Sequence, residues 1–164
     1  MSHVITHETA KNLVLHAQML SQPPIKNAKK SSVATAIREL SLLQIDTINI
    51  VARAPYFALF SRLGNYNKDW LDESLAEKSI FEYWAHAASF LPIEDYPYHR
   101  RMMLEKLRLP HYFNWYERNK AATDELLDHI RNNGAVRSAD FERKDGKKGT
   151  WWDWKFEKDA LEYW

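Results

Sequence analysis

The sequence predicts a mainly α-helical protein with small β-hairpins, built as tandem winged helix-turn-helix domains of which the second is incomplete. Three observations lead to this prediction. Apolar residues recur at helical spacing through most of the chain. Two short aromatic and apolar segments, 80–84 and 87–91, predict a β-hairpin that follows a group of helices. A long and then a short helical segment after residue 110 begin the same order again.

Helix start and stop signals divide the first half of the chain. Proline and glycine end the helical patterns, and Ser, Thr, Asn or Asp residues begin them. A group of helices followed by a two-stranded wing predicts a first domain over residues 1–92. The predicted helices are 7–20 with Thr6 or Ser2 as N-cap and Pro23–Pro24 as its end, a second from Ser31 or Ser32 to Leu42, 56–63 between Pro55 and Gly64, and 70–77 with Asn67 or Asp69 as N-cap.

The second half of the chain predicts a second domain over residues 93–164. Its last helical pattern stops on an apolar run without a cap or a polar tail, so we expect an N-terminal fragment that lacks the second wing. The predicted elements are a basic helix over 94–107 that Pro110 ends, a long helix over 112–132 closed by Gly134, a short helix capped by Ser138, and the start of a helix at Trp154.

Composition excludes several classes of function. The 164 residues contain no cysteine, which excludes disulfides, cysteine-ligated zinc and thiol catalysis. The formal net charge is +1, so nucleic-acid binding must come from local basic patches. No apolar run is long enough to cross a membrane and no signal peptide is evident, so we expect a cytoplasmic protein without a membrane partner. Histidine spacing and the lack of a glycine-rich phosphate loop predict no metal and no cofactor.

The segment 42–53 carries the most informative pattern, because polar residues interrupt an apolar run. If the segment is extended, Gln44 and Asp46 point to the same face, since side chains two apart on a strand do so. A carboxylate beside a primary amide can hold one water molecule for hydrolysis. The same pattern also fits an edge strand with a polar outer face, or a loop in which Asp46 is a cap.

Four strings of residues resemble the YcaQ/AlkZ family of bacterial winged-helix DNA glycosylases, and the resemblance runs through nearly the whole chain. It is most similar to the YcaQ (AlkX) branch, which carries Gln-x-Asp where the AlkZ branch carries Gln-x-Gln. The strings are LLQIDTINIVAR at 42–53, LFSRLGNY at 59–66, EYWAH at 82–86 and VRSADF at 136–141.

The resemblance implies a monofunctional DNA glycosylase that hydrolyses the N-glycosidic bond of N7-alkylated purines and unhooks interstrand crosslinks. It implies that Gln44 and Asp46 are catalytic, and that the partner is double-stranded DNA with an alkylated or crosslinked guanine. Family members are longer and carry a β-rich C-terminal domain. We therefore expect this chain to be inactive without that missing domain, and the whole protein to act at the bacterial nucleoid.

Six further residues are expected to contact DNA, although each also has a structural interpretation. A single arginine can bind phosphate, but it can equally form a solvated salt bridge. A tyrosine or histidine on a hairpin can face a groove or pack against the protein. These residues are Arg53, Arg62, Tyr83, His86, Arg100 and Arg101.

A second hypothesis is a winged-helix DNA-binding protein or transcription regulator without chemistry. The pair formed by Gln44 and Asp46 separates the two hypotheses. A surface that only binds DNA has no use for a carboxylate, which repels the phosphates.

Overall fold

The computed structural model describes residues 4–45, 50–142 and 155–164. The chain divides into two compact units, Met1–Arg100 and Arg101–Trp164, called here the N-terminal and the C-terminal unit. The predicted boundary between two winged-helix domains, at residues 92 and 93, remains a prediction.

Helices and a small sheet make up the N-terminal unit, as predicted. A single turn of 3₁₀ helix, Ile93–Asp95, joins the sheet to a helix that continues past the unit boundary. The elements are α1 (His7–Ala17), α2 (Lys30–Leu40), β1 (Leu43–Gln44), α3 (Ala54–Leu63), α4 (Asp69–Ala76), β2 (Ile80–Trp84), β3 (Ala88–Pro92) and α5 (Tyr96–Lys106).

The sheet has three antiparallel strands in the order β1-β3-β2. β2 and β3 form the predicted hairpin, with Ile80 opposite Pro92 and Trp84 opposite Ala88. β1 adds to the other side of β3, where Leu43 pairs with Phe90. The prediction of a mainly α protein with a small β-hairpin is therefore confirmed.

One face of the sheet packs against α2, α3 and α4 to form the core. Apolar residues recur in α2 and α3 at the helical spacing of three or four, so each helix turns one stripe inward. Leu43 and Phe90, which are paired across β1 and β3, extend this core onto the sheet. The core residues that are almost completely buried are Val33, Ala36, Ile37, Leu59, Leu63, Leu71 and Ile80.

Helix α2 differs from its prediction at both ends. The residue before it is Lys29, whose backbone N–H donates to the Ser32 side chain over 3.0 Å, so Ser32 acts from inside the first turn. The helix stops at Leu40 because Ser41 adopts a left-handed φ of 65°. That reversal lets the chain enter β1 at Leu43, three residues after the helix ends.

The predicted cap of α1 is confirmed, whereas the predicted role of Pro110 is wrong. The Thr6 hydroxyl accepts a hydrogen bond from the Thr9 backbone N–H at 3.1 Å, which confirms Thr6 as the cap of α1. Pro110 begins a helix instead of only ending one, because the first position of a helix needs no N–H donor.

In its described part, the segment 42–53 is extended only at its start. Leu43–Gln44 forms β1, the Ile45 N–H donates to the Ala88 carbonyl of β3, and Ile50 and Val51 lie in an exposed bend before α3. Residues 46–49, which include Asp46, lie outside the described residues.

The C-terminal unit contains α6 (Pro110–Asn133), a 3₁₀ turn (Ser138–Asp140) and α7 (Phe156–Tyr163). The two helices pack through aromatic rings: Tyr116 stacks on Tyr163 with ring centres 4.9 Å apart. The Trp164 indole N–H donates to the Thr123 carbonyl over 3.1 Å. Ser138 was predicted to cap a short helix, but it is the first residue of the 3₁₀ turn. The residue before the turn is Arg137, whose backbone N–H donates to the Asp140 side chain.

None of the helices within the described ranges has the length and apolarity that a membrane span requires.

The core of the N-terminal unit makes a direct prediction about two adjacent residues of α3. Leu59 is fully buried, whereas Phe60 is 55% exposed. We expect Leu59→Ala to lower the free energy of unfolding by about 2–5 kcal/mol, because it removes buried methyl groups and leaves a cavity. Phe60→Ala should cost less than about 1 kcal/mol. Urea denaturation followed by circular dichroism measures both, and equal losses would contradict this core.

Candidate active site and DNA-facing residues

Gln44 lies on the edge strand of the sheet and is exposed. Its neighbours Leu43 and Ile45 both pack in the core, and the Ile45 N–H donates to the Ala88 carbonyl at 2.7 Å. Because side chains alternate along a strand, burying these two residues forces Gln44 to the opposite face. The predicted alternation therefore holds in the described part of the segment.

The face that carries Gln44 also carries a row of cross-strand neighbours. Gln44 pairs with Ser89 on β3, and Ser89 pairs with Tyr83 on β2, so the three side chains lie on one face. Ser89 is fully buried, and its hydroxyl donates to the Ala87 carbonyl at 3.0 Å. The row thus runs from a half-buried tyrosine, through a buried serine, to an exposed amide at the edge.

Helix α5 covers the tyrosine end of this row. The His99 ring meets Tyr83 edge-on with ring centres 5.4 Å apart, and it meets Phe81 at 5.7 Å. Tyr96 packs against the same Phe81 at 5.3 Å. His99 Nδ1 is buried and has no hydrogen-bond partner among the described residues. Tyr83 is therefore held in an aromatic cluster, while Gln44 remains accessible at the other end.

Arg53 is exposed and immediately precedes α3. Its guanidinium lies over the Tyr56 ring, 5.7 Å from the ring centre, and donates to the Tyr56 hydroxyl at 3.4 Å. These contacts hold the side chain near the helix start without neutralising its charge. Among the described residues no carboxylate pairs with Arg53, so its cation, at the end of the segment 42–53, can bind a phosphate.

Arg62 is half-buried and donates to oxygen atoms of the protein. Its Nε donates to the Gln18 carbonyl at 3.1 Å, and its Nη1 donates to the Ala58 carbonyl at 3.0 Å and to the Ser61 hydroxyl at 2.8 Å. Burial lowers the pKa of the Arg62 guanidinium. The arginine therefore ties the end of α1 to α3, and this geometry favours its structural interpretation over phosphate contact.

The remaining predicted DNA contacts lie on the β2–β3 hairpin and on α5. His86 is exposed at the tip of the β2–β3 hairpin, between Ala85 and Ala87. Arg100 is half-buried on α5 in the N-terminal unit. Arg101, in the C-terminal unit, pairs with Glu105 one turn further along the helix at 2.8 Å. An exposed pair of this kind contributes little to stability, so Arg101 can exchange its partner for a phosphate.

Helix α4 is acidic. It carries Asp69, Asp72 and Glu73 on exposed positions, and its sequence contains no basic residue. Glu73 and the following Glu77 both pair with Lys30 of α2, which raises the pKa of the Lys30 ammonium. The outward surface of α4 is therefore electrostatically unfavourable for a polyanion.

Within the described ranges, no three His, Asp or Glu side chains are grouped as ligands of one metal ion would be. An open cleft lies between the loop 24–28 and the residues Gly64 and Asn65, and Gln44 is not part of its lining.

Comparison with protein families gives the class of the molecule: residues 37–164 match a family of DNA glycosylases, described as DNA glycosylase AlkZ-like. This match covers well over half of the sequence, so the chain belongs to the AlkZ-like DNA glycosylase family. No solved structure matches the chain. Membership of this family indicates a DNA repair enzyme of the hydrolase class, and it indicates DNA as the substrate.

Sequence reasoning missed three features of the site. The acidity of α4 can be read from the string DWLDESLA, but only the structure shows that Asp69, Asp72 and Glu73 occupy exposed positions. The packing of His99 on β2 required the direction of α5. The exposure of Ile50 and Val51 contradicts a reading of 42–53 as one apolar strand, and no local signal marks where β1 ends.

Two arginines on opposite ends of α3 make a matched test of DNA contact. We expect Arg53→Ala to weaken binding to duplex DNA and to reduce the slope of log K against log salt by about 1, because one phosphate contact is lost. Arg62→Ala should leave that slope unchanged and lower the free energy of unfolding by about 1–3 kcal/mol, because three oxygen atoms of the protein lose a charged donor. Salt-titrated fluorescence anisotropy and urea denaturation separate the effects. The reverse pattern would show that Arg62 faces DNA.

Proposed function

We propose that the protein hydrolyses the N-glycosidic bond of N7-alkylated purines in double-stranded DNA, with Gln44 and Asp46 as the catalytic pair. The observation that carries the proposal is the position of Gln44: an exposed amide on the edge strand, between the buried Leu43 and the partly buried Ile45. Asp46 follows two residues later in the sequence. Family membership supplies the reason for a DNA sugar to approach this edge.

The chemistry needs only one carboxylate, because alkylation at N7 has already given the base a positive charge. The bond from C1′ to N9 breaks, and its electron pair neutralises the purine as it leaves. Asp46 faces the positive charge that develops on the sugar and accepts a proton from the attacking water. Gln44 accepts from and donates to that water, which fixes its direction. Because water is the nucleophile, the strand stays intact and the enzyme is monofunctional.

An open edge also suits a guanine that is crosslinked to the opposite strand. Many glycosylases rotate the target base into a closed pocket, and a crosslinked base cannot make that movement freely. Gln44 is exposed on an edge strand and does not line the open cleft of the N-terminal unit. This accessibility supports unhooking of interstrand crosslinks as part of the same activity.

We further propose that the N-terminal unit is a winged helix, and that the protein acts on chromosomal DNA in the bacterial cytoplasm. The support for a winged helix is the order of α2, β1, α3, α4, β2 and β3 together with the sheet order β1-β3-β2. Unlike a transcription regulator, the protein would not bind DNA through the second helix of this winged helix.

The acidity of α4 argues against the alternative function of a transcription regulator. In a helix-turn-helix regulator the second helix enters the major groove and contacts bases and phosphates. Here that helix presents Asp69, Asp72 and Glu73. Glu73 is paired with Lys30, but Asp69 and Asp72 at phosphate distance would oppose binding, so a catalytic edge is the better account of this unit.

The catalytic assignment predicts the outcome of one conservative substitution. We expect Asp46→Asn to slow release of 7-methylguanine from duplex DNA by at least about 100-fold under single-turnover conditions, because the proton acceptor and its charge are both lost. Affinity for the DNA should not fall. Liquid chromatography of the released base, using the complete gene product, measures the rate.

Glu39→Gln is the matched control, since Glu39 is an exposed carboxylate of α2 in the same unit. It should release the base at the rate of the unaltered protein. If Asp46→Asn releases the base as fast as the control, Asp46 is not the catalytic carboxylate.

If DNA meets the β1 edge and not α4, removing charge from α4 should have little effect on DNA binding. The double substitution Asp69→Asn and Asp72→Asn should change DNA affinity by less than about twofold at physiological salt, because charges beyond about 8 Å from the phosphates are screened. A regulator that binds through α4 would instead bind more tightly after the same change. Fluorescence anisotropy with undamaged duplex DNA distinguishes these outcomes.

A further inference from the structure

We infer that Ile50 and Val51 form an apolar wedge that enters the base stack of duplex DNA beside the reacting nucleotide. The inference rests on the proposed function, because it assumes that Asp46 marks the place of the reaction. It adds a residue pair that neither the catalytic assignment nor the arginine contacts require.

The exposure of this pair is the first observation. Ile50 is 91% exposed and Val51 is 85% exposed. Isolated exposed apolar residues are common on protein surfaces, but two neighbouring β-branched residues presented almost completely to solvent are unfavourable unless something covers them. They lie in a bend between the catalytic segment and α3, so the backbone presents them away from the core.

Chain length places the pair near the reaction whatever path the chain takes. Ile50 is four residues after Asp46. Because a fully extended chain spans at most about 3.6 Å per residue, the two Cα atoms lie within about 14 Å of each other. Successive base pairs are about 3.4 Å apart. A base stack that brings its sugar to Asp46 therefore has Ile50 within about four base-pair steps and Val51, one residue further, within about five.

The start of α3 provides charge and further apolar surface for the same partner. Arg53 is exposed two residues after Val51, which suits a phosphate next to the unstacked step. Phe57 and Phe60 are 51% and 55% exposed, and they lie three residues apart on one face of α3. Arg53 can therefore contact a phosphate while the apolar side chains next to it contact the bases.

A wedge has a clear use at this site. Apolar side chains that enter a base step unstack it and bend the duplex, and this gives a protein access to a sugar without rotating a whole base into a pocket. Such access is what a crosslinked guanine requires. The edge that carries Gln44 and the bend that carries Ile50 would then act on the same distorted step.

The test uses the complete gene product and a duplex with a tetrahydrofuran abasic analogue beside a 2-aminopurine. Stacking quenches 2-aminopurine, so insertion of a wedge raises its fluorescence. The variant Ile50→Ser/Val51→Ser should lose that rise and bind the duplex about tenfold more weakly. The matched control is Leu13→Ser/Val14→Ser, because this adjacent pair on α1 is also exposed, at 57% and 62%. The control should keep both the rise and the affinity.

The inference is overturned if the Ile50/Val51 variant keeps the fluorescence rise, or if the unaltered protein produces none. Failure of the proposed function has a different signature. In that case Asp46→Asn releases 7-methylguanine at the unaltered rate, while the 2-aminopurine signal still depends on Ile50 and Val51. Circular dichroism of both double variants confirms that the fold is intact, which the exposure of all four side chains leads us to expect.

Discussion

The antiparallel pairing of β1 with β3 is the constraint on which the rest of the N-terminal unit depends. It is only two residues long, yet it fixes the directions of the Leu43 and Gln44 side chains. Leu43 opposite Phe90 enters the core, and Gln44 opposite Ser89 is turned to the other face. A slip of one residue would bury the amide and expose the leucine, so burial of Leu43 and Ile45 is what makes the site possible.

One face of the sheet packs in the core, and in our proposal the other face carries the catalytic residue Gln44. The core face joins α2, α3 and α4 through closely packed aliphatic residues. On the opposite face, α5 closes over the β2–β3 hairpin with aromatic rings and leaves the edge at β1 open. Charge also differs between the helices of the core face, since α4 carries three carboxylates, whereas Arg53 stands exposed at the start of α3. In our proposal DNA therefore meets the edge strand and not the second helix of the helix-turn-helix.

The sequence predicted what depends on local spacing. The hairpin, the Thr6 cap and the turn to Gly64 were predictable because alternation, side-chain oxygens and glycine act over a few residues. The exposure of the Gln44 side chain was predictable for the same reason, because side chains alternate along a strand. The short extent of β1 was not, because only Phe90 and Ser89, far along the chain, determine where pairing stops. The tether made by Arg62 was not predictable either, since its acceptor at Gln18 lies 44 residues away, and its contact with DNA remains a prediction.

The most direct test of the account is to ask which face of the protein meets the lesion. The chain has no cysteine, so a Gln44→Cys variant can carry a single tethered iron–EDTA group. Bound to a duplex with one abasic analogue, it should generate hydroxyl radicals that cut the DNA within a few nucleotides of that position. The same probe on Asp72→Cys of α4 should cut weakly and without a centre. Cleavage focused by the probe on α4, with none focused by the probe at residue 44, would contradict the account.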